Sequence, residues 1–312
     1  MHPRTRPSAA IGTAVVRPPR ALGVIIGGAF AAWALLFALL SANAALGAEP
    51  GFKTFLAWLA AAVLGMVALV FANWTFALIT LAYEITDEAL TIRWGFRRVI
   101  VPIAGIQRMI PGRTLDEAQI DGLNWWGCHI GTADVKRIGY TLFYSTHSSP
   151  EELLYVVTTD ESYALTVLDQ ASFAEEVQGR AQIGAPVHPH PQRSAATGLA
   201  AIPFWRDGVA TTATAIAVLA CVVLSGYVFA SYPGLPNVIQ LSFPHPGGIV
   251  RVGDKSELLE IVYLAVGILT FNTVLGILIH ARERAAGLWL LASSGMLQAV
   301  LFAAAIAAFR QA

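Results

Sequence analysis

Apolar residues fall into five long blocks without a charge, and a β-patterned stretch divides the second block from the third. Arg20 to Glu49, Lys53 to Glu84, Asp207 to Arg251, Glu260 to Arg282 and Arg284 to Arg310 each enclose more than 20 uncharged residues. A span needs about 20 mostly apolar residues, because in lipid each backbone amide must be bonded within its own helix. The interval after Asp207 is too long for one helix, and Ser231-Tyr232-Pro233-Gly234 with Pro236 ends its helical part after about one span. The pattern predicts five spans.

Residues 84–180 read with period two. Leu90, Ile92 and Trp94 alternate with Thr91 and Arg93, Gly95-Phe96-Arg97-Arg98 turns the chain, and Val99 and Val101 resume the alternation. Pro102 is expected to open a helical turn over Ile103 to Met109 that Pro111-Gly112 ends, followed by an irregular stretch. Tyr140–Tyr144, Leu153–Thr158 and Tyr163–Leu168 are three more β-rich runs. Asp169 suits the N-cap of a closing helix that aligns Phe173 with Val177. Strands followed by one helix predict a barrel plugged at one end.

These elements divide the chain into a tail (1–20), a two-helix transmembrane hairpin (21–83), the β-rich domain (84–180), a Pro-containing linker (181–207) and a three-helix transmembrane part (208–312) with an external loop at 232–256. Arg4, Arg6, Arg17 and Arg20, with no acid among them, place the N-terminus in the cytoplasm. Alternation then puts 84–180 inside and 232–256 outside. Ala42-Asn43-Ala44 after an Arg-rich start also suits a cleaved leader, but the uncharged run is about twice a normal leader core, which favours a retained span.

Composition agrees with a polytopic α-helical membrane protein: 56% of residues are apolar and 13% charged, against roughly 45–50% and about 25% in soluble domains. Net charge is zero, which leaves no global basic field for nucleic acid. The β-rich segment alone is acidic, with fourteen Asp or Glu against eight Lys or Arg.

Tyr83-Glu84-Ile85-Thr86-Asp87-Glu88-Ala89-Leu90-Thr91-Ile92, then Gly95, Val101-Pro102 and Ile106, with Gly131-Thr132, Gly139 and the Leu168–Val177 ending, resembles the bacterial pleckstrin-homology-like family. The resemblance implies an inserted cytoplasmic barrel that binds a partner or a lipid headgroup. A second resemblance lies in Leu235-Pro236-Asn237-Val238-Ile239 with Phe243, Gly248, Arg251, Gly253, Lys255 and Leu258. It is similar to a bacterial membrane domain of unknown function seen in immunity-type proteins, from which Gln240 and Ser242 depart.

Arg93, Arg97 and Arg98, with Lys136 and Arg137, are the candidate contacts for a partner or a headgroup phosphate. The acidic surroundings offset the roughly 1 kcal/mol per basic residue that anionic lipid offers, so a protein contact is favoured over phosphoinositide binding. Gly23 and Gly27 form a small-xxx-small pair suited to close helix packing, within the chain or between copies, and Asn73 and Asn272 are candidates for interhelical bonding. Cys128-His129 and the His188/His190 pair lack the further ligands a zinc site needs, and no cofactor motif is present. With no mid-span charge a coupled transporter is not expected, and with no catalytic motif neither is an enzyme. The expected role is a scaffold or regulatory subunit of the bacterial cytoplasmic (inner) membrane that binds a protein partner or a second copy. The alternative is a sensor or immunity-type protein that meets a peptide or toxin through the external loop.

Overall fold

The computed structural model describes residues 12–116, 118–183, 193–196, 202–242 and 250–311. Among the described residues five helices are long and apolar enough to cross a membrane: Ala21–Leu46, Phe52–Thr80, Gly208–Gly234, Lys255–His280 and Arg284–Arg310. The chain forms two compact units, one holding residues up to Ala34 and Val67–Ala201, the other Leu35–Met66 and Ile202–Ala312.

In the first unit, β1 (Ala14–Val16) precedes α1 (Ala21–Leu46), and α2 (Phe52–Thr80) runs into β2 (Ala82–Ile85). Then follow β3 (Ala89–Trp94), β4 (Arg97–Pro102), β5 (Ile106–Pro111), β6 (Asp121–Trp125), β7 (Cys128–Val135), β8 (Gly139–Ser145), β9 (Leu153–Thr158), β10 (Ser162–Thr166), α3 (Gln170–Ile183) and β11 (Arg193–Ala196). One sheet has the order β1-β2-β3-β4-β11 and the other β5-β9-β10-β8-β7-β6. All pairs are antiparallel except β10 with β8.

The barrel expected from the strand order is not closed: among the described residues no ladder joins the two sheets. Pro102 ends β4 without an N–H to donate, and a 3₁₀ turn at Ile103–Gly105 carries the chain out of that sheet, so β5 begins the second. The helical turn expected over 103–109 stops at Gly105, and Ile106–Pro111 is a strand whose register slips between Ile106 and Arg108. The stretch read as irregular holds β6 and β7. The tail contains β1 and the linker contains β11, one on each outer edge of the first sheet.

The core lies between the sheets and α3, with Tyr83, Leu90, Ile92, Val101, Leu154, Val156, Leu165 and Phe173 buried in one cluster. Leu153, Tyr155 and Phe143 point the other way and are covered by Ile120 and Leu115 from the segment after β5. That second layer explains why every residue of β9 is buried and why five apolar residues in a row, Leu153 to Val157, open it. The Tyr83 hydroxyl donates to the Tyr144 carbonyl (2.7 Å) and accepts from the Thr166 amide (3.2 Å), a fixed polar point inside the core. Asp169 caps α3 by accepting from the Ser172 amide (3.0 Å).

The second unit contains α4 (Gly208–Ser231), a hairpin of β12 (Val238–Ser242) and β13 (Val250–Asp254), α5 (Glu260–His280) and α6 (Arg284–Gln311). Cys221, Leu224, Val228, Val262, Ala265 and Ala305 form one buried cluster and Phe204, Ala210 and Leu291 another, and the Phe229 ring is tilted against Phe55 of α2 at 6.3 Å. Gln298 is fully buried and donates to the Ala265 carbonyl at 2.8 Å, the interhelical amide bond that lipid favours. Asp207 accepts from the Val209 amide (3.0 Å) as the N-cap of α4, and also from Arg284 Nε at 2.6 Å. The Arg284 guanidinium holds the Asp207 carboxyl down to about 2.

Candidate functional site

Two hairpins of the first unit lean on its helices. At the β3–β4 turn the Gly95 amide donates to Thr80 Oγ1 at 2.8 Å in the last turn of α2, and Phe96 packs on Phe76 at 5.1 Å. At the β6–β7 turn Trp125 stacks on Phe71 at 5.2 Å and meets Trp74 edge-on at 5.3 Å. Gly127 adopts a φ of +80° there, and its backbone touches Gly23 in the first turn of α1. The helices themselves pair antiparallel, with Phe30 stacked on Phe71 at 5.2 Å and Arg20 Nη1 donating to the Ile79 carbonyl.

The Gly23/Gly27 pair is thereby placed. A Cβ on Gly23 would meet the Gly127 carbonyl and, at 2.9 Å, Leu78; one on Gly27 would stand 2.5 Å from Thr75 Oγ1. The close approach is of α1 to a β-turn and to α2. Asn272 is buried in α5 and Asn73 lies on an exposed face of α2.

The five basic candidates divide between the sheets. Arg93, Arg97 and Arg98 share the β3–β4 hairpin, where Arg93 pairs with Glu84 at 2.6 Å and the Arg97 guanidinium lies 5.9 Å from the Trp94 ring centroid. Arg98 is exposed on β4, opposite Arg93. Lys136 and Arg137 form the β7–β8 turn of the other sheet, and Lys136 pairs with Asp116 at 3.5 Å. Exposed pairs of this kind contribute about 0–1 kcal/mol, so the hairpin arginines remain available to a partner.

The outer edge of β4 is occupied by β11, in the register Arg193 opposite Ile100 and Ala196 opposite Arg97. A four-residue extended segment, distant in sequence, therefore completes this edge through main-chain bonds. β6 pairs with β7 alone among the described residues.

Cys128 is fully buried and its thiol is pushed up to about 12 by burial. His129 is lowered by burial and then by the nearby His147, and its Nδ1 lies 2.6 Å from Asn124 Oδ1. Among the described residues no three His, Cys, Asp or Glu side chains converge as metal ligands; His188 and His190 lie outside them. Grooves are also present on this unit. One of about 630 Å³ runs beside α3 between Arg113 and Gln170. Another of about 580 Å³ lies at the β6–β7 tip. Sequence reasoning missed the second because it treated β6 and β7 as irregular; the signal was Trp125-Trp126-Gly127, two large rings ahead of a turn glycine.

The family described as Bacterial PH domain matches residues 81–181, from the end of α2 through α3. That match does not reach the segment from Leu235 to Leu258. No curated protein and no solved structure matches the chain significantly.

Proposed function

We propose that this chain is a non-enzymatic scaffold or regulatory subunit of a bacterial cytoplasmic membrane, its N-terminus and PH-like domain inside, which docks a protein partner on that domain. The observation carrying this reading is β11 on β4: the edge beside Arg97 and Arg98 accepts a short extended segment in antiparallel register. In strand addition of this kind main-chain bonds supply affinity, and flanking side chains supply selectivity. A partner segment there takes the place of β11, and with Arg97 and Arg98 exposed beside it the edge suits one bearing acidic residues.

The test is photo-crosslinking in native membranes from position 98, with position 136 as the control. A discrete adduct from 98, absent from 136 and lost in the Arg97→Glu/Arg98→Glu chain, is expected. Equal adducts from both positions, or adducts indifferent to the charge reversal, refute docking at β4. A second reading, recognition of a peptide or toxin by the outer loop, draws on the β12–β13 hairpin, where Val238 and Val252 are 59% and 60% exposed. Toxin survival that requires this hairpin and not the arginines would favour it.

A further inference from the structure

The groove at the β6–β7 tip has a definable depth. Helices α1 and α2 have 26 and 29 residues, whereas the hydrocarbon needs about 20. Glu49 and Lys53 mark the turn between them, so the surplus, roughly 9 Å of α1 and 13 Å of α2 at 1.5 Å per residue, falls at the opposite ends. Those ends are the first turns of α1 and the last turns of α2, where Trp125 meets Trp74 and Gly127 meets Gly23. The tip therefore stands at headgroup level, where tryptophan is favoured. Trp126 is 72% exposed there, beside Leu22, which is 56% exposed in the first turn of α1.

The groove is lined by Leu22, Trp125 and Trp126 on one side and by His147, Ser148 and Glu152 on another. Among the described residues no Lys or Arg lines it. A site with two indole rings, a carboxylate and no fixed positive charge is suited to a cation. Ser148 supplies a hydroxyl that can bond a phosphate oxygen, and Leu22 leads along α1 toward the hydrocarbon.

We propose that this groove seats the headgroup of a zwitterionic aminophospholipid of the surrounding bilayer, its ammonium between Trp126 and Glu152 and its chains beside Leu22. The proposal rests on α1 and α2 spanning the bilayer and is independent of docking at β4. A bound lipid of this class fixes the domain against the membrane face without using the basic hairpin.

The full chain is reconstituted in vesicles of phosphatidylglycerol containing a minor fraction of acyl-brominated phosphatidylethanolamine or, separately, acyl-brominated phosphatidylglycerol, and tryptophan quenching is recorded. Subtracting the Trp126→Phe chain isolates Trp126. An aromatic–carboxylate ammonium contact predicts about five-fold enrichment of the ethanolamine lipid at Trp126. In the Glu152→Gln chain, whose replaced carboxylate is exposed and lies 3.6 Å from His147, the two lipids should come close to equal. Equal quenching in the unaltered chain overturns the proposal and leaves an unselective interfacial tryptophan. Trp33, 63% exposed within α1, reports the premise separately through a Trp33→Phe subtraction. Should neither lipid quench it, the span reading fails and the proposal with it; quenching at Trp33 with none at Trp126 overturns the headgroup site alone.

Discussion

Replacing Gly23 by alanine tests whether the β6–β7 turn is seated on α1. The added methyl has no free space: Leu78 Cδ1 is 2.9 Å away and the Gly127 carbonyl is nearer still. Gly127 cannot readily withdraw, since its φ of +80° fixes the tight turn between two paired strands. Gly28 is the matched control, because a Cβ there meets nothing within 4 Å. Both substitutions gain the same helix propensity, about 1 kcal/mol in water, so the difference between them isolates the steric cost. Overpacking costs about 1–3 kcal/mol, which at 1.4 kcal/mol per tenfold is a factor of about 5 to 150 in the opening equilibrium.

Cys128 reads that opening directly. It follows Gly127, is fully buried, and its thiol is held protonated by burial, so it reacts with a maleimide when the turn lifts. In a Cys221→Ser background, labelling of the Gly23→Ala chain in detergent should exceed that of the Gly28→Ala chain by the factor above. Equal rates for the two variants refute the seating of the turn on α1.

Two further outcomes follow from named ion pairs. Arg180 is 3% exposed and donates to Glu176 (2.6 Å), Asp87 (3.3 Å) and the Gly12 carbonyl (2.8 Å); Arg180→Ala should cost about 2 kcal/mol, the usual 3–5 for a broken buried pair being reduced because both carboxylates are partly solvated, and should speed proteolysis ahead of β1, and unchanged cleavage contradicts the contact. The Asp207 carboxyl is lowered from 3.8 to about 2, so its contribution is present above about pH 4 and lost as pH falls toward 2. The thermal stability of the Asp207→Asn chain should therefore be flatter over that interval, and parallel profiles contradict the assignment.

Elements whose evidence is local were legible in sequence. The β3–β4 hairpin alternates cleanly, Asp169 caps α3 as expected, and the apolar blocks are long enough to define five helices. The misses have non-local causes. Gly122 and Gly131 interrupt the alternation of β6 and β7, yet they let the two backbones approach across that hairpin, as Gly127 lets its turn approach α1. The slip between Ile106 and Arg108 hides the period of β5. Strands as short as Ala14–Val16 and Arg193–Ala196 are held by ladders to partners far away in sequence, which no local pattern announces. The basic residues and the small-xxx-small glycines could be marked as candidates in sequence, but spacing could not tell that Arg93 and Lys136 belong to different sheets. Nor could it tell that Gly23 approaches a turn more than a hundred residues away.

The core of the PH-like domain begins ahead of β2. Thr80 ends α2, Leu81 is fully buried, and β2 starts at Ala82. Leu78 and Leu81 belong to the same buried cluster as Tyr83, Leu90 and Phe173, and Val24 of α1 packs on it. A boundary at residue 84 would therefore cut through a core, because two of its fully buried leucines and Tyr83 lie ahead of it. Within this unit no free linker separates helix from sheet at the α2–β2 junction: the last turn of α2 also holds the β3–β4 turn through Thr80. Packed side chains and one hydrogen bond thus join the β3–β4 hairpin to the last turn of α2, so that turn belongs to the core of the domain and not to a separate anchor.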